Sequence, residues 1–313
     1  SLLERAGLSF GRSGLKPAPV PRELAAPVNR RAAARRGTAA PASSAPGAEP
    51  QPQAPEQAPE PRLDFAPGKV HSIDRDLLAR HGLIQPEAHV TRLLEEFRII
   101  KRQVLNAARK AETAGANGSA RRVLVTSPLP DEGKTFCAAN LAIALAAEKD
   151  SEVLLVDADF AKPSLLSLFG LPRGRGFMDV LANPQVRLEE CVQATDIAGL
   201  FVLPAGHHTN SDSEFLASHR TAEVLARLTA SAPNRMVIFD SPPALAATPA
   251  SELARHVGQT IVVARADRTG QSALEDTLTM LSACADLKLL LNAAHFSPSG
   301  RRFGAYYGQE GEQ

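Results

Sequence analysis

The stretch from Arg121 to Ala147, RRVLVTSPLPDEGKTFCAANLAIALAA, constrains the fold more than any other part of the 313-residue chain. Val123, Leu124 and Val125 form a short apolar run that predicts a buried strand. From Lys134 onward the apolar residues recur at helical spacing with no Gly or Pro, which predicts a helix. Between the two lies a tight loop closing on Gly133-Lys134-Thr135. A strand that delivers the chain to a loop of inward-turned N–H groups, followed by a helix with its positive end toward that loop, makes a site for a phosphate chain. Within it Lys134 reaches terminal phosphates and Thr135 offers its hydroxyl to Mg²⁺.

Further strands end in acid. Glu152 to Asp157 is an apolar strand that runs into Asp157-Ala-Asp159, and Arg235 to Asp240 repeats the pattern before Ser241-Pro242-Pro243 stops the element. Asp157 and Asp159, at alternate positions of an extended end, are expected to converge on one metal. Asp159 is also placed to accept a proton from an attacking hydroxyl, and Asp240 supplies the third strand-end carboxylate that a Mg²⁺-nucleotide site calls for. Leu200 to Leu203, Thr260 to Ala264 and Leu287 to Leu291 add strands. Helices are expected over Ser211–Leu228 and Ser272–Ala285, and loop with short helices over Pro163–Thr195. Strands alternating with helices predict an α/β fold with a mostly parallel sheet covered on both faces. A hydrophobic content of 44% suffices for that core.

The flanks differ in composition. Residues 1–15 carry Leu2, Leu3, Leu8 and Phe10 around Glu4 and Arg5 and read as a short amphipathic docking segment. Residues 16–69 are rich in Ala, Pro, Arg and Gln, with seven prolines from Pro41 to Pro61, and read as a disordered tether. Arg30, Arg31, Arg35 and Arg36 within it are a solvated basic cluster or a contact for anionic lipid or an acidic partner. The folded domain is expected over 70–296. A helix is expected over 88–108, with Val90, Leu93, Leu94, Phe97, Ile100 and Val104 on one face. Glu95, Glu96, Arg98, Lys101 and Arg102 occupy the rest, either paired internally or reserved for a subunit contact. The tail, 297–313, is polar, Gly-rich and expected to be mobile, yet it holds both tyrosines, Tyr306 and Tyr307. They are exposed hydroxyls kept for chemistry or rings that pack on a neighbour.

A formal net charge of +1 gives no general case for nucleic-acid binding. Cys137, Cys191 and Cys284 are odd in number and far apart, as expected of reduced buried thiols in a cytoplasmic protein. His207 and His208 have no companion at metal spacing. No apolar window is long enough to span a membrane, so membrane work would require recruitment by a partner.

With these motifs in order, the chain resembles the bacterial tyrosine autokinases of capsule and exopolysaccharide loci, nearest to the branch that accompanies exosortase systems. Lys134 and Thr135 match the family's phosphate-loop pair, Val153 to Asp159 its second acidic motif, and Val237 to Pro243 its third. The resemblance, over roughly Glu95 to the C-terminus, implies a P-loop NTPase fold of the deviant-Walker class and the cofactors ATP and Mg²⁺. It implies an autokinase whose catalytic residues are Lys134, Asp157, Asp159 and Asp240. Leu129, Asp131, Glu132, Gly133, Lys134, Thr135 and Phe136 would hold the nucleotide, and Thr135, Asp157 and Asp240 the metal. Asn292 would touch adenine or serve as a turn residue. Glu95, Arg98 and Lys101 resemble the family's ExxRxxR helix, which implies a ring that offers one subunit's Tyr306 and Tyr307 to the next subunit's site. It also implies recruitment to the inner membrane by a polysaccharide co-polymerase of the Wzz kind.

The departures are specific. Pro128 replaces the first Gly of the general phosphate-loop pattern, Asp131 stands where the family usually has Gly, and Lys101 replaces an Arg. Ala161 occupies a commonly basic position, next to Lys162. Two readings compete: a positioning or partition ATPase of the MinD and ParA kind, and a non-catalytic nucleotide-binding regulator of a polysaccharide co-polymerase. The partition ATPases carry an extra Lys early in the loop, where this chain has Leu129.

Overall fold

The computed structural model describes Phe65 and residues 69–116, 118–230 and 232–294. The expectations for the N-terminal segment, nearly all of the tether, and the tail with Tyr306 and Tyr307 fall outside them. Eight strands form one sheet: β1 (Val70–His71), β2 (Arg122–Thr126), β3 (Glu152–Asp157), β4 (Gln193–Thr195), β5 (Leu200–Leu203), β6 (Arg235–Asp240), β7 (Gln259–Arg265) and β8 (Leu287–Asn292). Their order is β1-β4-β5-β3-β6-β2-β7-β8, and every pairing is parallel except β4 with β5.

The central strands are apolar throughout because both of their faces are covered. Leu124, Leu154, Val156, Val237, Phe239 and Val262 point into one core. The residues between them, Val123, Val125, Val153, Leu155, Ile238 and Val263, point into the other, as strand alternation requires. The helices are α1 (Arg75–Arg80), α2 (Arg92–Thr113), α3 (Lys134–Ala146), α4 (Leu165–Phe169), α5 (Phe177–Ala182), α6 (Leu188–Cys191), α7 (Asp212–Leu216), α8 (His219–Ala230), α9 (Pro249–Ala254) and α10 (Gln271–Met280). Helix α3 is buried from Cys137 to Ala146. Its run of alanines lets it lie between the sheet and α2 at close range. Asn140 is the polar exception: its Oδ1 accepts from the Ile84 N–H at 2.8 Å and its Nδ2 donates to the Phe136 carbonyl at 3.0 Å, which satisfies a buried amide.

Three helix boundaries differ from expectation. α2 begins at Arg92, because the Thr91 hydroxyl accepts from the Leu94 N–H at 3.2 Å and caps the helix there, and it runs on to Thr113. Val90 precedes it and is exposed. The helix expected over Ser211–Leu228 is broken into α7 and α8: the Ser218 and Thr221 hydroxyls donate to the Phe215 carbonyl at 2.6 and 2.7 Å, taking an acceptor a continuous helix would use. α10 ends at Met280, where bonds from Ser282 to Thr279 and from Cys284 to Leu281 turn the chain toward β8.

Candidate active site

The carboxyl ends of β2, β3 and β6 lie side by side, since Asp157 is the register partner of Asp240 and Asp240 that of Val125. Two acidic strand ends therefore lie on one side of the start of the phosphate loop, at the edge where parallel sheets open a crevice. The loop is pinned there: the Thr126 hydroxyl donates to the Pro242 carbonyl at 2.8 Å, and the Ala244 N–H to the Ser127 carbonyl at 2.8 Å.

Gly133 has φ +93°, a conformation that favours Gly, and a Cβ at this position would displace the Asn292 amide, 2.1 Å away. Asp131 has φ +62°. The departure there keeps the left-handed backbone a Gly would supply, since Asp tolerates that region better than most residues. Its side chain is exposed. The first bond inside α3 is Cys137 N–H to the Gly133 carbonyl at 2.9 Å. The N–H groups of Lys134, Thr135 and Phe136 thus have no acceptor within the helix and are available to an anion.

Leu129, expected among the residues that hold the nucleotide, has its N–H already engaged within the loop. Its N–H donates to Glu132 Oε2 at 2.8 Å. Glu132, 1% exposed, points back into the loop, where its Oε1 also accepts from the Thr269 hydroxyl. The Phe136 ring turns away and packs edge-on to Phe97, with centroids 6.4 Å apart. Only the Phe136 backbone faces the site. Asn292 Nδ2 donates to the Glu132 carbonyl at 2.9 Å, and Arg265 Nη1 to the Asp131 carbonyl at 3.2 Å. Thr269 and Arg265, both beyond or at the end of β7, are contributors that sequence reading missed. No motif marks them, and only the parallel pairing of β7 with β2 brings them to the loop.

Lys134 Nζ lies 3.2 Å from Asp159 Oδ2, and both side chains are largely buried. Asp157 lies close enough to Asp159 and Asp240 for their charges to act on one another. β3 ends at Asp157, whose Oδ2 accepts from the N–H groups of Ser164 and Leu165 at 2.9 and 3.0 Å and whose Oδ1 accepts from that of Asp159 at 3.2 Å. Asp157 thus holds the loop after its strand and the start of α4. Burial pushes its carboxyl up to about 6, against those hydrogen bonds. Asp240 is fully buried, and neither of its oxygens meets a donor with full hydrogen-bond geometry. Burial pushes it up to about 7, opposed by the Lys134 ammonium and the Thr135 hydroxyl.

Among the described residues no three His, Cys, Asp or Glu side chains gather at metal-ligand spacing. A Mg²⁺ held by one or two protein oxygens, water and phosphate needs no such cluster, and the orphaned Asp240 carboxylate beside Thr135 fits it. His207 and His208 are exposed, each on a carboxylate: His207 Nδ1 is 2.7 Å from Asp179 Oδ1, and His208 Nδ1 is 2.5 Å from Asp212 Oδ2. On α2, Glu95 pairs with Arg98 within the helix. Lys101 reaches α3, 2.6 Å from Glu148 Oε1 and 3.1 Å from the Ala144 carbonyl. In the isolated chain all three are engaged internally. The three cysteines are free and buried, and no described helix is long and apolar enough to cross a membrane.

No family model matches the chain. Tyrosine-protein kinase YwqD of Bacillus subtilis (strain 168) is 31% identical over 216 residues, covering 68% of this chain and 86% of the relative. Tyrosine-protein kinase ptk of Acinetobacter johnsonii is 35% identical over 165 residues, covering 52% of this chain and 22% of the relative. Several longer curated relatives are matched over only 19% to 25% of their length. Among solved structures, the VpsO kinase domain superposes with a TM-score of 0.51 at 31% identity, covering 61% of this chain and 96% of that one.

Proposed function

The chain belongs to the bacterial tyrosine-protein kinases, and from that premise we propose that it transfers the γ-phosphoryl group of ATP to tyrosines of its own tail, Tyr306 and Tyr307, in another copy. The observation that carries the reading is the Asp240 carboxylate, buried without a full donor beside Thr135 and Lys134 at the open start of α3. A structural role alone leaves such a group costly, whereas a bound cation compensates it.

The N–H groups of Lys134, Thr135 and Phe136 and the Lys134 ammonium take the phosphate oxygens. Thr135 and Asp240, with Asp157 beside them, would hold Mg²⁺, which would supply positive charge to offset that building on the phosphates. In the transfer the bond from the γ-phosphorus to the bridging oxygen of ADP breaks as one forms to the tyrosine oxygen. The phenolic proton passes to Asp159 and then to solvent. Asp159 is ion-paired with Lys134 at 3.2 Å in the free site. A γ-phosphate that draws Lys134 onto its own oxygens loosens that pair and frees the Asp159 carboxylate to take the proton. Asn292 sits against the loop on the β8 side, a place from which it can meet the base of the nucleotide.

Assembly of copies brings a tail to a neighbouring site. The half-exposed Glu95–Arg98 pair of α2 can exchange its internal contact for one across subunits, while Lys101 stays bound to α3. Phosphorylation adds about two negative charges per tyrosine and loosens contacts near carboxylates, so the kinase cycles between assembled and separate forms. Control of polysaccharide polymerisation and export through a membrane co-polymerase of the Wzz kind, at the inner membrane, rests on the family resemblance of the sequence motifs.

Incubation with Mg·ATP followed by mass spectrometry tests the reading. Phosphate on Tyr306 or Tyr307 that disappears in Lys134→Met supports it. ATP hydrolysis with an unmodified tail sinks it and favours a positioning ATPase.

A further inference from the structure

Resting on that reading, we propose that Arg173 and Arg175 select the acceptor by its acidic residues, which in this chain are Glu310 and Glu312, three and five positions after Tyr307. A cavity of about 510 Å³ opens beside the phosphate site, walled by Asp157, Ser167, Ala205 and His207, with Arg173 and Arg175 on its rim.

Its position follows from the strand order. The phosphate loop is braced from the β7 and β8 side by Arg265, Thr269 and Asn292. β3 and β5 lie on the other side, and this cavity sits at their carboxyl ends. An acceptor hydroxyl attacks in line with the leaving diphosphate. It must therefore enter from the side away from the cradle, where Asp159 and this cavity are found.

The charges on the rim are uncompensated. Arg173 and Arg175 lie in Pro172-Arg-Gly-Arg-Gly176, are exposed, and form no ion pair among the described residues. The nearby acids of the adjoining cavity, Glu189 and Glu190, already pair with Arg227 at 3.3 Å and Arg187 at 3.1 Å. Asp179, behind His207, accepts from the Gly176 N–H at 2.8 Å and from the imidazole. Two guanidinium groups at positions two apart are thus left to a ligand. They match two carboxylates two apart, which an extended peptide presents on one side.

The test uses two full-length copies. The enzyme copy carries Tyr306→Phe and Tyr307→Phe, and the acceptor copy carries Lys134→Met, so transfer occurs only from one to the other. Arg173→Glu with Arg175→Glu in the enzyme, or Glu310→Arg with Glu312→Arg in the acceptor, is expected to lower kcat/KM by about tenfold or more through like-charge contact. Combining the two reversals is expected to restore transfer to within about threefold. Unchanged transfer in either single reversal overturns the proposal, as does a loss that the combination fails to rescue. Thermal melting confirms that each variant is folded. Absence of transfer between copies with native arginines and glutamates overturns the kinase reading itself, and this proposal with it.

Discussion

Burial strips Asp240 of water without giving its carboxylate a donor of full geometry, and its register partner is a second buried carboxylate, Asp157. The Lys134 ammonium that would balance them is already 3.2 Å from Asp159. The free protein thus carries a buried charge cluster that a bound cation, on the proposed reading, would relieve. Asp240→Asn keeps the shape and removes the charge, so the nucleotide-free variant is expected to melt several degrees higher, about 1 kcal/mol moving Tm by about 2–4 °C at this size. The same variant is expected to lose phosphoryl transfer. Calorimetry and a tail-phosphorylation assay on one preparation check both, and a lower Tm would mean that the carboxylate has a stabilising partner in the native state. The apolar strand run and its terminal acid made Asp240 readable as a site residue from sequence alone. Its orphaned state was not readable, because that depends on which strands neighbour β6.

At the scale of the element, the phosphate loop is braced by its own Glu132 and by side chains from β7, β8 and the turn after β7. Glu132 ties the Leu129 N–H and the Thr269 hydroxyl, and Asn292 and Arg265 hold the loop's carbonyls. Glu132→Ala frees the Leu129 N–H but releases two of these ties and leaves a buried void. We expect it to weaken binding of a fluorescent ADP analogue by about tenfold, since a cradle that must first be ordered binds less tightly. Thr269→Val, which removes one tie at nearly constant volume, should give a smaller loss of the same sign. If both bind as the native protein does, the brace is dispensable. Glu132 was visible in the sequence as a loop residue expected to hold the nucleotide, but the brace that its side chain forms was not. Gly133-Lys134-Thr135 reads locally because loop and helix are contiguous, whereas Thr269 meets the loop from 137 residues away. The bonds by which the Asp157 carboxylate also holds the start of α4 were not readable, because they depend on how the chain turns after β3.

Across the whole molecule, the α/β alternation and the strands over 200–203 and 235–240 followed from apolar runs, because a sheet covered on both faces writes itself as continuous hydrophobic sequence. The order β3-β6-β2 does not follow from such runs, yet it sets the two acids side by side and gives stability a pH dependence. In the fold Asp157 and Asp240 sit at about 6 and about 7, above the ordinary carboxylate value of about 3.9. The native state therefore holds these protons more tightly than the unfolded chain. Their contribution to stability is complete below about pH 4 and is lost as pH rises through 6 and 7. Glu87, Glu148 and Asp196 are lowered, so their stabilisation is lost only under more acidic conditions. His256, lowered by burial, acts oppositely below its ordinary value of about 6.5, stability rising with pH there. The difference between native protein and Asp240→Asn cancels the histidine. Melted without nucleotide from about pH 5 to pH 8, the native protein should fall progressively below the variant. Saturating Mg·ADP, worth about 2.7 kcal/mol at a hundred times its Kd, should stabilise the native protein more at pH 8 than at pH 5 and the variant little at either. Parallel melting curves for the two proteins would place the proton elsewhere and remove Asp240 from the metal site.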